Sequence, residues 1–305
     1  MFENITDNYK FNFLTRKSVI SNLLKNYNFI SYGIIGKSLC NRPIEYLSIG
    51  NKNNCNLWVS AHHGSEYITS MIVLNFLDNI CEKIKQNQKL YGIDLKEQFN
   101  KQGLVIVPCL NPDGVNIQLM GPNSAGKYSN LVSKIISENH AEIWQANARG
   151  VDLNHNYNAG WEKLHILEQK NNITGPSYKR YGGTHFHSEP ETISLVNFCE
   201  KNNFNSATAF HSQGEEIYWD YGKNTPKISR NIANILAISS KYTINSPEQL
   251  ATGGGFKDWF ITRFKKPGFT IEVGLGKNPL PITNFENIYT KIEPMLYINS
   301  IYDFN

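Results

Sequence analysis

No run of about twenty apolar residues occurs anywhere in the 305-residue chain, so nothing in it reads as a membrane-spanning helix. Charge of one sign is also scarce: 30 basic residues stand against 26 acidic ones, for a formal net charge of +4, and they are scattered. Without a basic stripe interleaved with aromatics, nucleic acid is not an implied partner. Low-complexity stretches and linker-like breaks are missing, so a chain of this length is expected to form one domain. The five cysteines, Cys40, Cys55, Cys81, Cys109 and Cys199, are odd in number and include no CxxC pair. That excludes a disulfide framework and a thiolate metal clip, and their apolar neighbours suit buried free thiols in a reducing compartment. The opening MFENITDNYKFNFLTRK lacks the basic-then-apolar order of a secretory signal. A soluble, cytoplasmic protein is the expectation.

What is present is a strand-and-helix rhythm. Apolar residues at helical spacing, Val19, Ile20, Leu23 and Leu24, predict a short helix over 17–27, part of an N-terminal cap segment, 1–32, before a main body, 33–305. Two β-type runs, 44–49 and 57–61, flank the turn-rich Gly50-Asn51-Lys52-Asn53-Asn54 and predict a hairpin or meander edge. A long helix is predicted over 66–86 and a strand over 104–110, ending in the turn Asn111-Pro112-Asp113-Gly114. The stretch 120–183, rich in Gly, Asn and Tyr, reads as surface loops around a site. Helices are predicted again over 188–201, 227–240 and 284–299, with strands over 207–210 and 269–273. Alternating strands and helices imply an α/β fold, helices flanking a mixed or largely parallel sheet.

Chemistry concentrates at strand ends. In LWVSAHHGSEYITS, His63 closes a strand and Glu66 follows three residues later in the first turn of a helix, so both can face one point. A catalytic zinc needs three protein ligands and an open position, and HxxE supplies two of them; a lone Glu there can also simply complement the helix dipole. His211, at the end of the run SATAFH, is the candidate third ligand, with a buried structural histidine as the alternative. Neighbouring His62 is assigned to a supporting role, and His185 and His187 to the rim. In PGFTIEVG, Phe269, Ile271 and Val273 share one strand face while Thr270 and Glu272 share the other. A carboxylate so placed near zinc suits general acid/base work.

Together, HGSE, NPDG, RGVDLNHNYNAGW, YGGTHFHSEPET, FHSQGE, GGGFKDWF and PGFTIEVGLGKNPLP occur in this order. The ordered set resembles the zinc carboxypeptidase superfamily from about Gly33 to Pro281, and most of all its bacterial γ-D-glutamyl-L-diamino acid peptidases. The resemblance implies a carboxypeptidase A-like sheet and one zinc held by His63, Glu66 and His211. It further implies Glu272 as the catalytic carboxylate and Asp152 as acceptor from a ligand imidazole. An arginine near RGVDLN would steady the oxyanion; Arg149 is the candidate, with Gln145 as the alternative. The implied reaction is hydrolysis of peptidoglycan stem peptides between γ-D-glutamate and meso-diaminopimelate, with a peptide or muropeptide as partner. Asn154, His155 and Lys257 are the candidate substrate contacts.

The chain also departs from the family pattern. Asn154-His155 stands where carboxypeptidases that trim C-termini carry Asn-Arg, and Leu250 stands near the place of a tyrosine. Imidazole does not reproduce a guanidinium fork. Open alternatives are a metallocarboxypeptidase on α-linked peptides, a zinc deacylase of the aspartoacylase type, and a non-catalytic binding module that has kept the fold.

Overall fold

The computed structural model describes residue 6 and residues 8–302. Eight strands, β1 (Ser31–Lys37), β2 (Pro43–Ile49), β3 (Cys55–Ser60), β4 (Gly103–Val107), β5 (Ala207–His211), β6 (Glu216–Tyr218), β7 (Thr243–Ile244) and β8 (Gly268–Glu272), form one mixed sheet. Its spatial order is β1-β2-β4-β3-β5-β8-β6-β7. The four central strands, β4, β3, β5 and β8, run parallel, and their carboxyl ends meet along one edge. Among the described residues the sheet is accompanied by α1 (Phe13–Asn26), α2 (Ile68–Lys85), α3 (Leu95–Lys101), α4 (Pro112–Met120), α5 (Ser129–Asn139), α6 (Trp161–Lys170), α7 (Pro190–Lys201), α8 (Ile228–Ser240), α9 (Phe256–Phe264) and α10 (Phe285–Ile301).

The period of two along each central strand divides the core into two layers. Trp58, Ile106, Phe210, Phe269 and Ile271 face α1, α2, α8 and α10. Leu57, Val59, Val105, Val107, Ala207 and Ala209 face α7 and α9. Trp58 anchors the first layer: its ring lies 5.0 Å from Phe76 and 5.1 Å from Phe210, and its indole N–H donates to Asn299 at 2.5 Å. Truncating so large a buried aromatic costs about 3–5 kcal/mol.

The expected hairpin between the second and third strands is corrected. β4 inserts between them, antiparallel to β2 and parallel to β3, so the turn at 50–54 is a crossover and not a hairpin loop. Residue 33, the expected junction of cap and body, lies inside β1, and Phe11, Ile20 and Leu23 belong to the same core as α2 and α10. The helix predicted from 66 begins as a 3-10 turn, Gly64–Glu66, before α2 proper. The loop-like middle contains α5 and α6. No helix among the described residues is long and apolar enough to cross a membrane.

Candidate active site

β3 ends at Ser60, and the chain turns through Ala61 at φ 49° to deliver His62 and His63 at the carboxyl edge. Thr69 fixes that turn, accepting from Ala61 N at 3.0 Å and donating to Glu66 O at 2.7 Å. Asn111 ties the neighbouring segments together: its amide donates to the carbonyls of His62, Gln145 and Ala146 at 3.0–3.2 Å, while its oxygen caps α4 through Gly114 N at 2.8 Å. Gly64 sits so close that a Cβ there would lie 2.3 Å from Gly114 O and 2.6 Å from Trp144 O. Both are backbone atoms, so no side chain can yield and a glycine is required.

The 3-10 turn brings Glu66 Oε1 to 2.8 Å from His63 Nδ1. β5 brings His211 Nδ1 to 3.0 Å from Glu66 Oε2 and 3.3 Å from His63 Nδ1. The three donor atoms lie within 4.8 Å of one another. Asp152 Oδ1 faces His63 Nε2 at 3.1 Å and so assigns the imidazole proton to Nε2, leaving a lone pair on Nδ1. Two imidazole nitrogens and a carboxylate turned toward one point form a donor set that fits a zinc ion. Burial disfavours the His63 imidazolium, but the carboxylates of Glu66 and Asp152 outweigh it and raise its pKa well above the usual value. Burial lifts Glu66, and the two imidazoles more than reverse this, bringing it to about 2. His62 stays neutral because burial lowers its pKa; its ring stacks on His211 at 5.2 Å and steadies it.

These residues open into a cavity of about 740 Å³ also lined by Gln145, Asn154, Arg180, Tyr218, Glu248, Glu272 and Lys277. Parallel register places Glu272 beside His211. Among the described residues its carboxylate has no hydrogen-bond or ion-pair partner. Burial and the neighbouring Glu66 push its pKa well up.

Two sequence expectations are corrected. Arg149 does not line the cavity: its guanidinium is bound in two-point fashion to Glu189, at 3.0–3.2 Å, whereas Gln145 does line it. Lys257 is buried away from the cavity, its ammonium donating to Asp258 at 2.5 Å and to Asp220 O at 2.8 Å. His155 touches the cavity wall, but its Nδ1 is engaged with Glu168 at 2.8 Å. Asn154 lines the cavity with its side-chain oxygen accepting from Phe256 N at 3.0 Å. His187 lies outside, its Nε2 accepting from Asn158 N at 3.3 Å. Arg180, Glu248, Lys277 and Asn278 were not singled out from sequence; the basic pair Lys179-Arg180 directly before Tyr181-Gly182-Gly183 was the available signal.

The profile of the zinc carboxypeptidase family matches residues 17–294 of this chain. The chain belongs to the zinc carboxypeptidase family. The peptidase is 35% identical over 277 residues to a gamma-D-glutamyl-L-diamino acid endopeptidase 1 of Lysinibacillus sphaericus, covering 88% of this chain and 67% of that one. It is 31% identical over 282 residues to the uncharacterized protein YqgT of Bacillus subtilis, covering 91% and 74%. Its fold matches bovine thrombin-activatable fibrinolysis inhibitor with a TM-score of 0.74 at 19% identity, over 96% of this chain and 97% of that one. The mixed sheet flanked by helices is therefore the carboxypeptidase A-like fold, and the chain is a zinc metallopeptidase.

Proposed function

We propose that this peptidase hydrolyses peptidoglycan stem peptides at the bond between γ-D-glutamate and meso-diaminopimelate. The similarity to the Lysinibacillus endopeptidase, extending over most of both chains, carries this reading. His63, Glu66 and His211 are the proposed zinc ligands and Glu272 the proton carrier. Zinc, when bound, supplies a Lewis acid.

Glu272 lines the same cavity, and among the described residues its carboxylate has no hydrogen-bond or ion-pair partner. It takes a proton from the attacking water as the new C–O bond forms and gives a proton to the leaving amine as the C–N bond breaks, the two halves of general base and general acid work. Burial, and then the neighbouring Glu66 carboxylate, raise its pKa, which favours the protonated form that the second half requires. The Gln145 amide offers an N–H donor toward the developing oxyanion, the role first expected of Arg149. With His155 held by Glu168, the pair Asn154-His155 offers no guanidinium fork for a terminal α-carboxylate, which argues against plain C-terminal trimming of α-linked peptides. Five free cysteines, four of them buried, support a cytoplasmic site of action on released muropeptides.

The test is to incubate zinc-loaded protein with L-Ala-γ-D-Glu-meso-diaminopimelate and with an α-linked control peptide, and to identify products by mass spectrometry. Release of free diaminopimelate with the control intact is expected. Cleavage of the control alone would refute the assignment.

A further inference from the structure

Arg180 is held close to the metal site by its backbone. Its N–H donates to Asp152 Oδ2 at 2.9 Å, and Asp152 Oδ1 faces His63 Nε2 at 3.1 Å. Its φ of 65° lies in the left-handed region, which residues bearing a Cβ enter at a cost. Glycine or asparagine would take that backbone more easily, so an arginine there points to a use for its side chain. The guanidinium pairs with Glu248, which is 68 residues away in sequence and also lines the cavity. The pair bridges two segments of the cavity wall with side chains 37% and 61% exposed. Ion pairs this exposed are held weakly in water, so an incoming ligand can replace each partner at little cost.

We propose that Arg180 and Glu248 together bind the distal amino-acid end of the diamino acid, the guanidinium taking its carboxylate and Glu248 its ammonium. This rests on the diaminopimelate reading above. The distal carbon of meso-diaminopimelate carries one carboxylate and one ammonium, so it offers each member of the pair the charge that its partner offered before. Local neutrality is kept, and a planar guanidinium can meet the carboxylate at two points. Lysine in the same position brings the ammonium but no carboxylate. It would separate the pair and return nothing to Arg180. The cavity residue thus separates two diamino acids by a charge that sits far from the scissile bond.

Three matched peptides test this on the zinc-loaded protein: L-Ala-γ-D-Glu linked to meso-diaminopimelate, to its distal carboxamide, and to L-lysine. The parent is expected to prefer the free diaminopimelate peptide by about 10–100-fold in kcat/KM, mainly through KM, the range of a charge-assisted hydrogen bond. R180Q is expected to reduce that preference to within about 3-fold, and E248Q to raise KM for all three peptides. R180N, whose side chain suits the left-handed backbone, repeats the test should R180Q not fold. A preference that survives both Arg180 substitutions, or a parent that does not distinguish the three peptides while cleaving them, overturns this assignment alone. A parent that cleaves none of the γ-linked peptides overturns it together with the proposed function.

Discussion

Glu191 sets a stability that falls as pH rises. Three carboxylates, Asp113, Glu189 and Glu191, lie buried together behind the Arg149–Asp152 turn. Asp113 is paired with Arg42 at 2.5 Å and Glu189 with Arg149 at 3.0 Å, but among the described residues Glu191 has no cation and meets amide donors, its own backbone N–H, Leu39 N at 3.0 Å and Asn147 Nδ2 at 3.3 Å. Burial first, and Asp113 second, raise its pKa from 4.5 to about 8. The folded protein therefore keeps a proton that the unfolded chain has released. This contribution to stability is fully present below about pH 4.5, declines as pH rises, and is gone above about pH 8. At about 1.36 kcal/mol per pH unit, the interval amounts to at most ~5 kcal/mol. Glu191→Gln preserves the shape of the neutral acid and removes its titration. Denaturant unfolding between pH 4 and 9 is expected to show parent and variant equally stable at the acid end, with the variant ahead by ~2–5 kcal/mol at pH 8.5. Parallel stability profiles would refute the reasoning. Because Asn147 also accepts from Arg149 N and Val151 N, the same titration is expected to loosen the turn that presents Asp152 to His63.

Three further outcomes follow from the site. Glu272→Gln is expected to retain zinc and fold while turnover falls ~10²–10⁴-fold, and activity within a few-fold of the parent would mean that another group carries the proton. Elemental analysis is expected to give about one zinc per parent chain and none in His211→Ala, and chelation to lower the melting temperature, since a ligand bound only by the folded state stabilises it; equal zinc in both proteins would remove His211 from the ligand set. Lys257→Met leaves the Asp258 carboxylate buried without its cation and is expected to cost about 3–5 kcal/mol of stability with KM little changed. A KM effect at undiminished stability would return Lys257 to the substrate.

Much of the fold was legible because its signals are local. The long helices α2, α8 and α10 and the short apolar runs of β5 and β8 declare themselves by period and length. The insertion of β4 between β2 and β3 could not be read, because strand pairing across some fifty residues leaves no trace in either segment. β1 was missed as an edge strand whose residues are all partly or fully exposed, including Gly33 and Gly36. α5 and α6 were absorbed into the Gly-, Asn- and Tyr-rich stretch around them, although α5 buries Val132 and Ile135 at helical spacing. At the cavity, His63, His211 and Glu272 were legible as candidates because each stands at or just past a strand end, and Glu66 because it follows His63 by three residues in the next turn. The basic residues were misjudged for one physical reason: sequence shows a cation but not its counter-ion. Glu189 claims Arg149 and Asp258 claims Lys257, while Arg180 is left at the cavity.

The parallel pairing of Glu272 with His211 means that the spacing between these two groups is a property of the sheet. Adjacent strands stand ~4.8 Å apart whatever the lengths of the loops that join them. Insertions or deletions in the segments carrying Arg180 and Glu248 can therefore change which molecule enters while the spacing at the strand ends stays constant. A one-residue slip of β8 would do the reverse, turning Glu272 into the layer beneath α10 and exposing Ile271 at the cavity with every loop unchanged. Substrate choice and reaction geometry are in this way open to change separately, one through loop length and the other through strand register.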